Sequence, residues 1–257
     1  MIILFTSENI ASLNIAGKLI ERHGFAEQAK DEWIAGGVRL IDTHAPSVLE
    51  VPTGFQTDCL LVLSTHKSRT HEKVMTAHMP GNWGDAGMGG SPRTLNMAPA
   101  SRLKTLFREI KKQADRIGWG ASLEADHHGP TCGVPIMFAE IGSSEEEWGD
   151  DTAAAAMADA VAAALPKHET FETVFGVGGG HCPRELTKLV LESELAVGHI
   201  APKYAIDLLD DEMFSQAIER NVEKVSRVLV VKDQANLAQK EKIRKLAEGH
   251  GIALELI

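Results

Sequence analysis

Apolar positions fall into short runs separated by stretches of helical spacing, the alternation expected of a chain built from βα units. Ile2 to Thr6 is an apolar run ended by Ser7, which can cap a helix with Ile10, Leu13, Gly17 and Ile20 as its apolar face and His23-Gly24 as its stop. Val38 to Ile41 and Cys59 to Leu63 have strand length, and the second runs into Ser64-Thr65-His66-Lys67-Ser68-Arg69. Polar residues at the end of a buried strand are where open α/β sheets place their chemistry. Met79 to Arg93, with five glycines and two prolines, predicts a long loop. A helix is expected from Pro99 to Ile117, with Leu103, Leu106, Phe107 and Ile110 buried and Arg102, Lys104, Arg108, Lys111, Lys112 and Arg116 on its outer face. Ser122 to His128 and Pro135 to Ile141 are strand-like, and Ser144 and Glu147 have capping-box spacing at the start of an Ala-rich helix reaching about Leu165. A strand from Phe171 to Val177, a glycine turn, a helix to about Leu195, a strand at Val228 to Val231, a helix from Ala235 to Glu248 and a strand from Ile252 to Ile257 follow. With no repeat and no low-complexity linker, the pattern predicts one α/β domain over residues 1–257 with a mostly parallel sheet.

Composition narrows the classes. At 257 residues, 44% hydrophobic and 24% charged, the chain has the make-up of an ordinary globular protein, against disorder or a disulfide scaffold. No apolar run approaches the roughly 18 residues of a membrane span, and MIILFTSEN lacks the basic start of a signal peptide, so a cytoplasmic protein is expected. Cys59, Cys132 and Cys182 form no CxxC pair, which predicts reduced thiols. The net charge of -10 argues against a nucleic-acid partner, but it is unevenly spread. Ten Lys and Arg face four acids between Leu60 and Gly120, whereas nine acids and no base lie between Ala121 and Ala160.

The densest chemistry is Glu124-Ala-Asp-His-His-Gly-Pro-Thr131. If extended, it puts Glu124, Asp126 and His128 on one face and His127 on the other, a set able to bind a divalent metal or position a water. The plainer alternative is a histidine pair closing a strand at a turn. Gly176-Val-Gly-Gly-Gly-His181 lies between strand and helix, where the amides of Gly178, Gly179 and Gly180 can receive a phosphate, a carboxylate or an oxyanion. It fails as a dinucleotide fingerprint because His181 stands at the last glycine position. His66, His78 and His199 each follow a short apolar stretch, and together the histidine turns suggest a shared cleft. Glu145 to Glu147 need only complement a helix dipole. The basic helix face, with Lys67, Arg69, Lys73 and Arg93, is either a solvated face or a phosphate track.

Taken in order, Ser-Thr-His-Lys-Ser68, His78-Met-Pro-Gly-Asn-Trp83, Glu124 to Thr131, Glu140-Ile-Gly-Ser-Ser-Glu-Glu-Glu-Trp148, Gly-Val-Gly-Gly-Gly-His181 and Gly-His-Ile-Ala-Pro-Lys-Tyr204 resemble the archaeal and plant type of D-aminoacyl-tRNA deacylase, from one end of the chain to the other. The resemblance implies α/β/α layers with a mixed sheet, similar to phosphorylase and peptidyl-tRNA hydrolase folds. It implies a zinc-dependent enzyme that hydrolyses the ester between a D-amino acid and the terminal ribose of tRNA; a monomer is expected. On that basis His78, Glu124, Asp126, His127, His128 and His181 are candidate metal ligands. His66, Glu124, His128, His181, His199 and Lys203 are candidates for the chemistry. Lys67, Asn82, Gly178, Gly179, Gly180, Arg108, Lys111 and Lys112 are candidates for holding the substrate. Two positions depart from the family pattern: Asp126 stands where a threonine is expected, and Cys182 where an aromatic residue is usual. The competing readings are a nucleoside phosphorylase using the glycine turn for phosphate and a non-catalytic RNA-binding module.

Overall fold

The N-terminal apolar run forms β1 (Ile2–Phe5), buried along its length, and α1 (Ile10–Arg22) follows. The computed structural model describes every residue except Val48 and Thr53. Next come β2 (Ala26–Ala29), β3 (Glu32–Ala35), β4 (Val38–Asp42), β5 (Leu60–Lys67) and β6 (Val74–His78). The short strands β7 (Gly81–Asn82) and β8 (Thr94–Leu95) precede α2 (Ala100–Arg116), β9 (Gly120–Leu123) and β10 (Ile136–Ser143). Helices α3 (Glu145–Trp148) and α4 (Asp151–Ala164) lead to β11 (Glu172–Val177), α5 (Arg184–Glu192) and β12 (Leu195–Ala201). The chain continues through α6 (Asp211–Glu219), β13 (Val225–Val230), α7 (Leu237–Gly249) and β14 (Ala253–Leu256).

Eight strands form a mixed sheet in the order β2-β3-β4-β1-β5-β10-β6-β9, and four form a second sheet in the order β12-β11-β13-β14. The centre of the first sheet, β4-β1-β5-β10, is parallel, and β6 joins β10 antiparallel. The second sheet is parallel throughout. Ile15 and Leu19 of α1, Leu103 and Phe107 of α2 and Met157 of α4 cover one face of the first sheet, against Leu61, Leu63, Met75 and Met137. On its other face Leu4, Val62 and Phe138 meet Val51, Phe55 and Val134 from the connecting segments. The core around α2 extends to Val174, Val197 and Leu229, so this helix joins the sheets. Alternation along the second sheet sends Phe175, Val228 and Val230 the other way, onto Phe214 of α6 and Ile243 of α7. The mixed α/β architecture expected from the sequence is present, but the strands divide into two sheets.

Several local expectations are corrected. Helix α1 buries Ala11, Ser12, Ile15, Ala16 and Leu19, leaving Ile10 and Leu13 exposed. The cause is Ser12, whose hydroxyl donates to Leu63 O at 2.7 Å and accepts from Thr6 N at 3.0 Å, fixing which face meets the sheet. The cap is Asn9, not Ser7, and it accepts from Ser12 N. The expected helix to Leu195 ends at Glu192, and the chain re-enters a sheet as β12. The all-exposed edge strand β2 carries no apolar signal and escaped the pattern.

Lys104 is the largest reversal. Expected on an outer face, it is 1% exposed, and its ammonium donates to the carbonyls of Val190, Ser193 and Leu195 at 2.9, 2.6 and 2.7 Å. These carbonyls lie where α5 turns into β12, so α2 clamps the turn that aims the second sheet at the first. Burial, with Arg108 adding to it, pushes the Lys104 pKa down to about 8, which still leaves the ammonium charged at neutral pH. Lys104→Met keeps the length of the side chain but leaves three carbonyls without a donor. We expect a loss of about 3 kcal/mol in denaturant unfolding, against less than about 1 kcal/mol for Lys112→Met on the exposed face.

Candidate functional site

Parallel strands β1, β5 and β10 end on the same side of the first sheet, and the chemistry gathers there. His66 lies near the end of β5 and His78 is the last residue of β6. Gly142 of β10 lets His66 lie flat on its neighbour, because a Cβ there would stand 2.6 Å from His66 Cδ2. His181 follows the glycine loop after β11. Gly179 holds a φ of +84°, and a Cβ on it would fall 2.6 Å from Pro183 Cβ, so this turn requires glycine.

The segment Glu124 to His128 is not the strand expected from its sequence. β9 stops at Leu123, after which the backbone changes partner residue by residue: Glu124 N donates to Ala77 O, Ala125 N to His181 O and Asp126 N to Ile200 O. His128 then adopts a φ of +48°. Face alternation therefore fails, and His127 and His128 turn to the same place, their ring centroids 4.3 and 4.9 Å from that of His78.

Glu124 is the centre of the cluster, 1% exposed. Its Oε2 lies 2.6 Å from His181 Nε2, 3.0 Å from His66 Nδ1 and 3.6 Å from His127 Nε2. None of these nitrogens is aligned to donate a hydrogen bond, and both Glu124 oxygens and His78 Nε2 are buried without an aligned partner. His78, His127 and His128 each set Nδ1 against a backbone carbonyl, of Met79 at 3.1 Å, Ala125 at 2.9 Å and Gly129. With Nδ1 donating, each Nε2 keeps a lone pair. Two histidine-rich ligand sets result, His78–His127–His128 and His66–Glu124–His181, and a third, His78–Glu124–Glu140, shares a residue with each; the potential ligand atoms of each set lie within 4.8 Å of one another.

The electrostatics fit ligation by His127 and His128. Burial, then His78, pushes the pKa of His127 far down and that of His128 to about 3, holding both neutral as metal ligation requires. Burial disfavours a charge on His78, but Glu140, with its Oε1 3.6 Å from Nε2, overrides it and lifts the pKa to about 9, so that an ion bound there would displace the Nε2 proton. Burial lifts Glu140, partly offset by His78. Glu124 is driven well below the usual carboxylate range, since His181, His66 and His78 outweigh its burial. Glu140 was absent from the candidates drawn from the sequence. Its signal was a single acid inside the otherwise apolar run of β10, every residue of which is buried.

A cavity of about 450 Å³ opens onto the cluster, lined by His66, His127, His128, Glu140 and His181. Thr6, Asn9, Leu63, Lys67 and Met88 form its other walls. The remaining candidates are placed elsewhere. Asn82 is buried and its amide donates to Gly89 O and Ser91 O, holding the 84–91 loop instead of a substrate. Gly178 N donates to Ala201 O at 2.8 Å and is not free for an anion, whereas the amides of Gly179 and Gly180 have no acceptor among the described residues. Lys203 is exposed, its backbone amide fixed to Gly179 O. Arg108, Lys111 and Lys112 do not line the cavity. They pair with Glu194 at 3.0 Å, Asp115 at 2.5 Å and Glu109 at 3.7 Å, because the helix carries its own counter-charges.

Residues 53–255 match the family model described as D-aminoacyl-tRNA deacylase. The chain is 34% identical to the D-aminoacyl-tRNA deacylase of Thermococcus kodakarensis, over 98% of this chain and 97% of that protein. It is 36% identical to that of Pyrococcus horikoshii over 89% of each chain, and 37% identical to that of Ignicoccus hospitalis over 78% and 81%. A crystal structure of a conserved protein of unknown function superposes with a TM-score of 0.91 at 24% identity, covering 99% of this chain and 94% of that one, which establishes the shared fold.

Asp126, expected as a metal ligand, and His199, expected to act in the chemistry, form a brace behind the cluster. Asp126 Oδ2 meets His199 Nδ1 at 2.5 Å, Asp126 Oδ1 accepts from Ile200 N at 2.8 Å, and His199 Nε2 reaches Arg220 O at 2.8 Å. Both carboxylate oxygens are therefore occupied, and Asp126 belongs to none of the ligand sets. The brace ties the Glu124–His128 segment to β12 in the second sheet. Asp126→Ala strands two buried donors, and we expect a loss of about 3 kcal/mol in denaturant unfolding, with Asp126→Asn losing less because it keeps an acceptor for Ile200 N.

Proposed function

Since the chain belongs to the D-aminoacyl-tRNA deacylase family, we propose that it hydrolyses the ester between a D-amino acid and the terminal ribose of tRNA at the histidine–carboxylate cluster, with zinc as its cofactor. It is a hydrolase acting on an ester bond, and its products are free D-amino acid and tRNA. The observation carrying the proposal is the set of buried, unpartnered atoms, both Glu124 oxygens and His78 Nε2, which a cation would complete. His78, His127 and His128 would hold one ion and His66, Glu124 and His181 another, with Glu124 Oε2 facing both sets. The chemistry such ions supply is polarisation of the ester carbonyl and a water that ionises near neutral pH.

The rest falls to the chain's own groups. The cavity beside the cluster takes the aminoacyl moiety, with Leu63 and Met88 offering apolar contact and His181 at its edge. The free amides of Gly179 and Gly180 suit an oxyanion. Lys67, exposed at the cavity, and Lys203, exposed on the turn bonded to the glycine loop, suit the phosphates next to the tRNA terminus. The proposed enzyme acts as a monomer, and a tRNA substrate implies work in the cytoplasm. No helix among the described residues is long and apolar enough to cross a membrane.

A second reading has its own observation. His181 Nε2 is 2.6 Å from Glu124 Oε2 on a side chain 41% exposed, and a small turn of the ring would align the pair as a histidine–carboxylate base that needs no ion. Exhaustive dialysis against a strong chelator separates the two. We expect loss of two equivalents of zinc, read by elemental mass spectrometry, together with activity that returns on adding zinc; full activity in metal-free protein leaves the metal-free base. Glu124→Gln is expected to lower kcat/KM at least about a hundredfold and to reduce bound zinc. Free amino acid released from matched D- and L-aminoacyl-tRNA tests the substrate. Release is expected from the D form, and equal hydrolysis of both would reject chiral selection.

A further inference from the structure

We propose that Tyr204 is the platform on which the terminal nucleobase of the tRNA stacks while the aminoacyl group occupies the cavity at the cluster. The inference rests on the deacylase reading above and assigns the two ends of its substrate to two neighbouring parts of the site. The cavity walled by Thr6, Asn9, Leu63 and Met88, with His181 in its lining, is of a size for an amino acid. The short turn Lys203–Leu208 contributes nothing to the walls of that cavity. Lys203 N donates to Gly179 O at 2.9 Å, so the turn is fixed to the loop that presents His181.

Tyr204 is the only tyrosine of the chain, and it is 60% exposed. Its neighbours Pro202, Ala205 and Ile206 are buried, so the ring stands on a rigid base and loses little freedom when a partner covers it. Its hydroxyl has no hydrogen-bond partner among the described residues. The phenol pKa is raised by burial and then by the carboxylates of Asp126 and Glu124. An exposed ring beside the exposed ammonium of Lys203 offers a face for a base and a charge for a phosphate, the pairing used to hold single-stranded nucleic acid ends. Stacking is tolerant of base identity and needs no hydrogen-bond readout, which suits a terminus common to all charged tRNAs.

Two small esters test the assignment: 3′-O-(D-phenylalanyl)adenosine and the D-phenylalanyl ester of 1-O-methylribose, which lacks the base. They are assayed on the zinc-loaded full chain with D-phenylalanyl-tRNA alongside. Tyr204→Ala is expected to lower kcat/KM for the adenosine ester about tenfold, mainly through KM, and to leave the base-less ester unchanged. Tyr204→Phe, which keeps the ring, is expected to match the parent on both. Equal loss on both esters, or no loss on either, overturns the platform while the parent's hydrolysis of D-phenylalanyl-tRNA leaves the deacylase reading standing. A parent protein that releases no amino acid from D-phenylalanyl-tRNA overturns both.

Discussion

A carboxylate removed from water stays ionised only where positive charge surrounds it, since burying an isolated ion costs several kcal/mol after all relaxation. Glu124 is such a group. It has almost no contact with solvent, and its Oε2 is approached by His181, His66 and His127 within 3.6 Å. The histidines are themselves crowded: His127 has the rings of His78, His128 and His181 at 4.3 Å each. Four imidazoles cannot all carry protons at that spacing, and burial holds His127 and His128 neutral. An ionised carboxylate among imidazoles of which two are held neutral is a poor arrangement for a closed core and a good one for a cation.

Holding that arrangement requires parts far apart in sequence, and this explains the two sheets. His66, His78 and Glu140 come from the first sheet and His181 from the loop after β11 of the second. Between them, the Glu124–His128 segment hydrogen-bonds in turn to β6, to the glycine loop and to β12. Lys104 fixes the turn before β12, and Asp126 with His199 fixes β12 to the cluster. These buried polar contacts sit outside the chemistry, yet they set where the second sheet stands. A shift of one ångström there would separate His181 from Glu124.

Strand ends were legible because a buried run that meets polar residues has only one place to go, and His66, His78 and the glycine turn before His181 were found in that way. The Glu124–His128 motif was legible as a cluster but not as a geometry. Period-two reasoning holds only while a strand lasts, and β9 stops one residue before Glu124. This is why Asp126 was expected among the metal ligands although both of its oxygens are satisfied by His199 and by the backbone. Glu140 stood at the head of a quoted motif but was not carried into the candidates, because its apolar neighbours marked only a strand. Lys104 was misplaced because helical periodicity marks the face turned toward one sheet, and α2 packs against two.

The charge of the chain takes a different meaning once the cations are located. The segment from Leu60 to Gly120 holds ten basic residues. Arg93 and Arg102 pair with Asp210 and Asp58, and Arg108, Lys111 and Lys112 with nearby acids. Lys104 is sealed among carbonyls. Lys67 and Arg69, at the site end of β5, have no acidic partner among the described residues, and the turn that carries the exposed Lys203 is bonded to the glycine loop. Affinity for a phosphate backbone grows with each charge neutralised. On the reading that tRNA is the substrate, the cations next to the cluster put that charge at the acceptor terminus, beside the reacting ester, and not on the outer face of α2, whose cations are taken up by nearby acids.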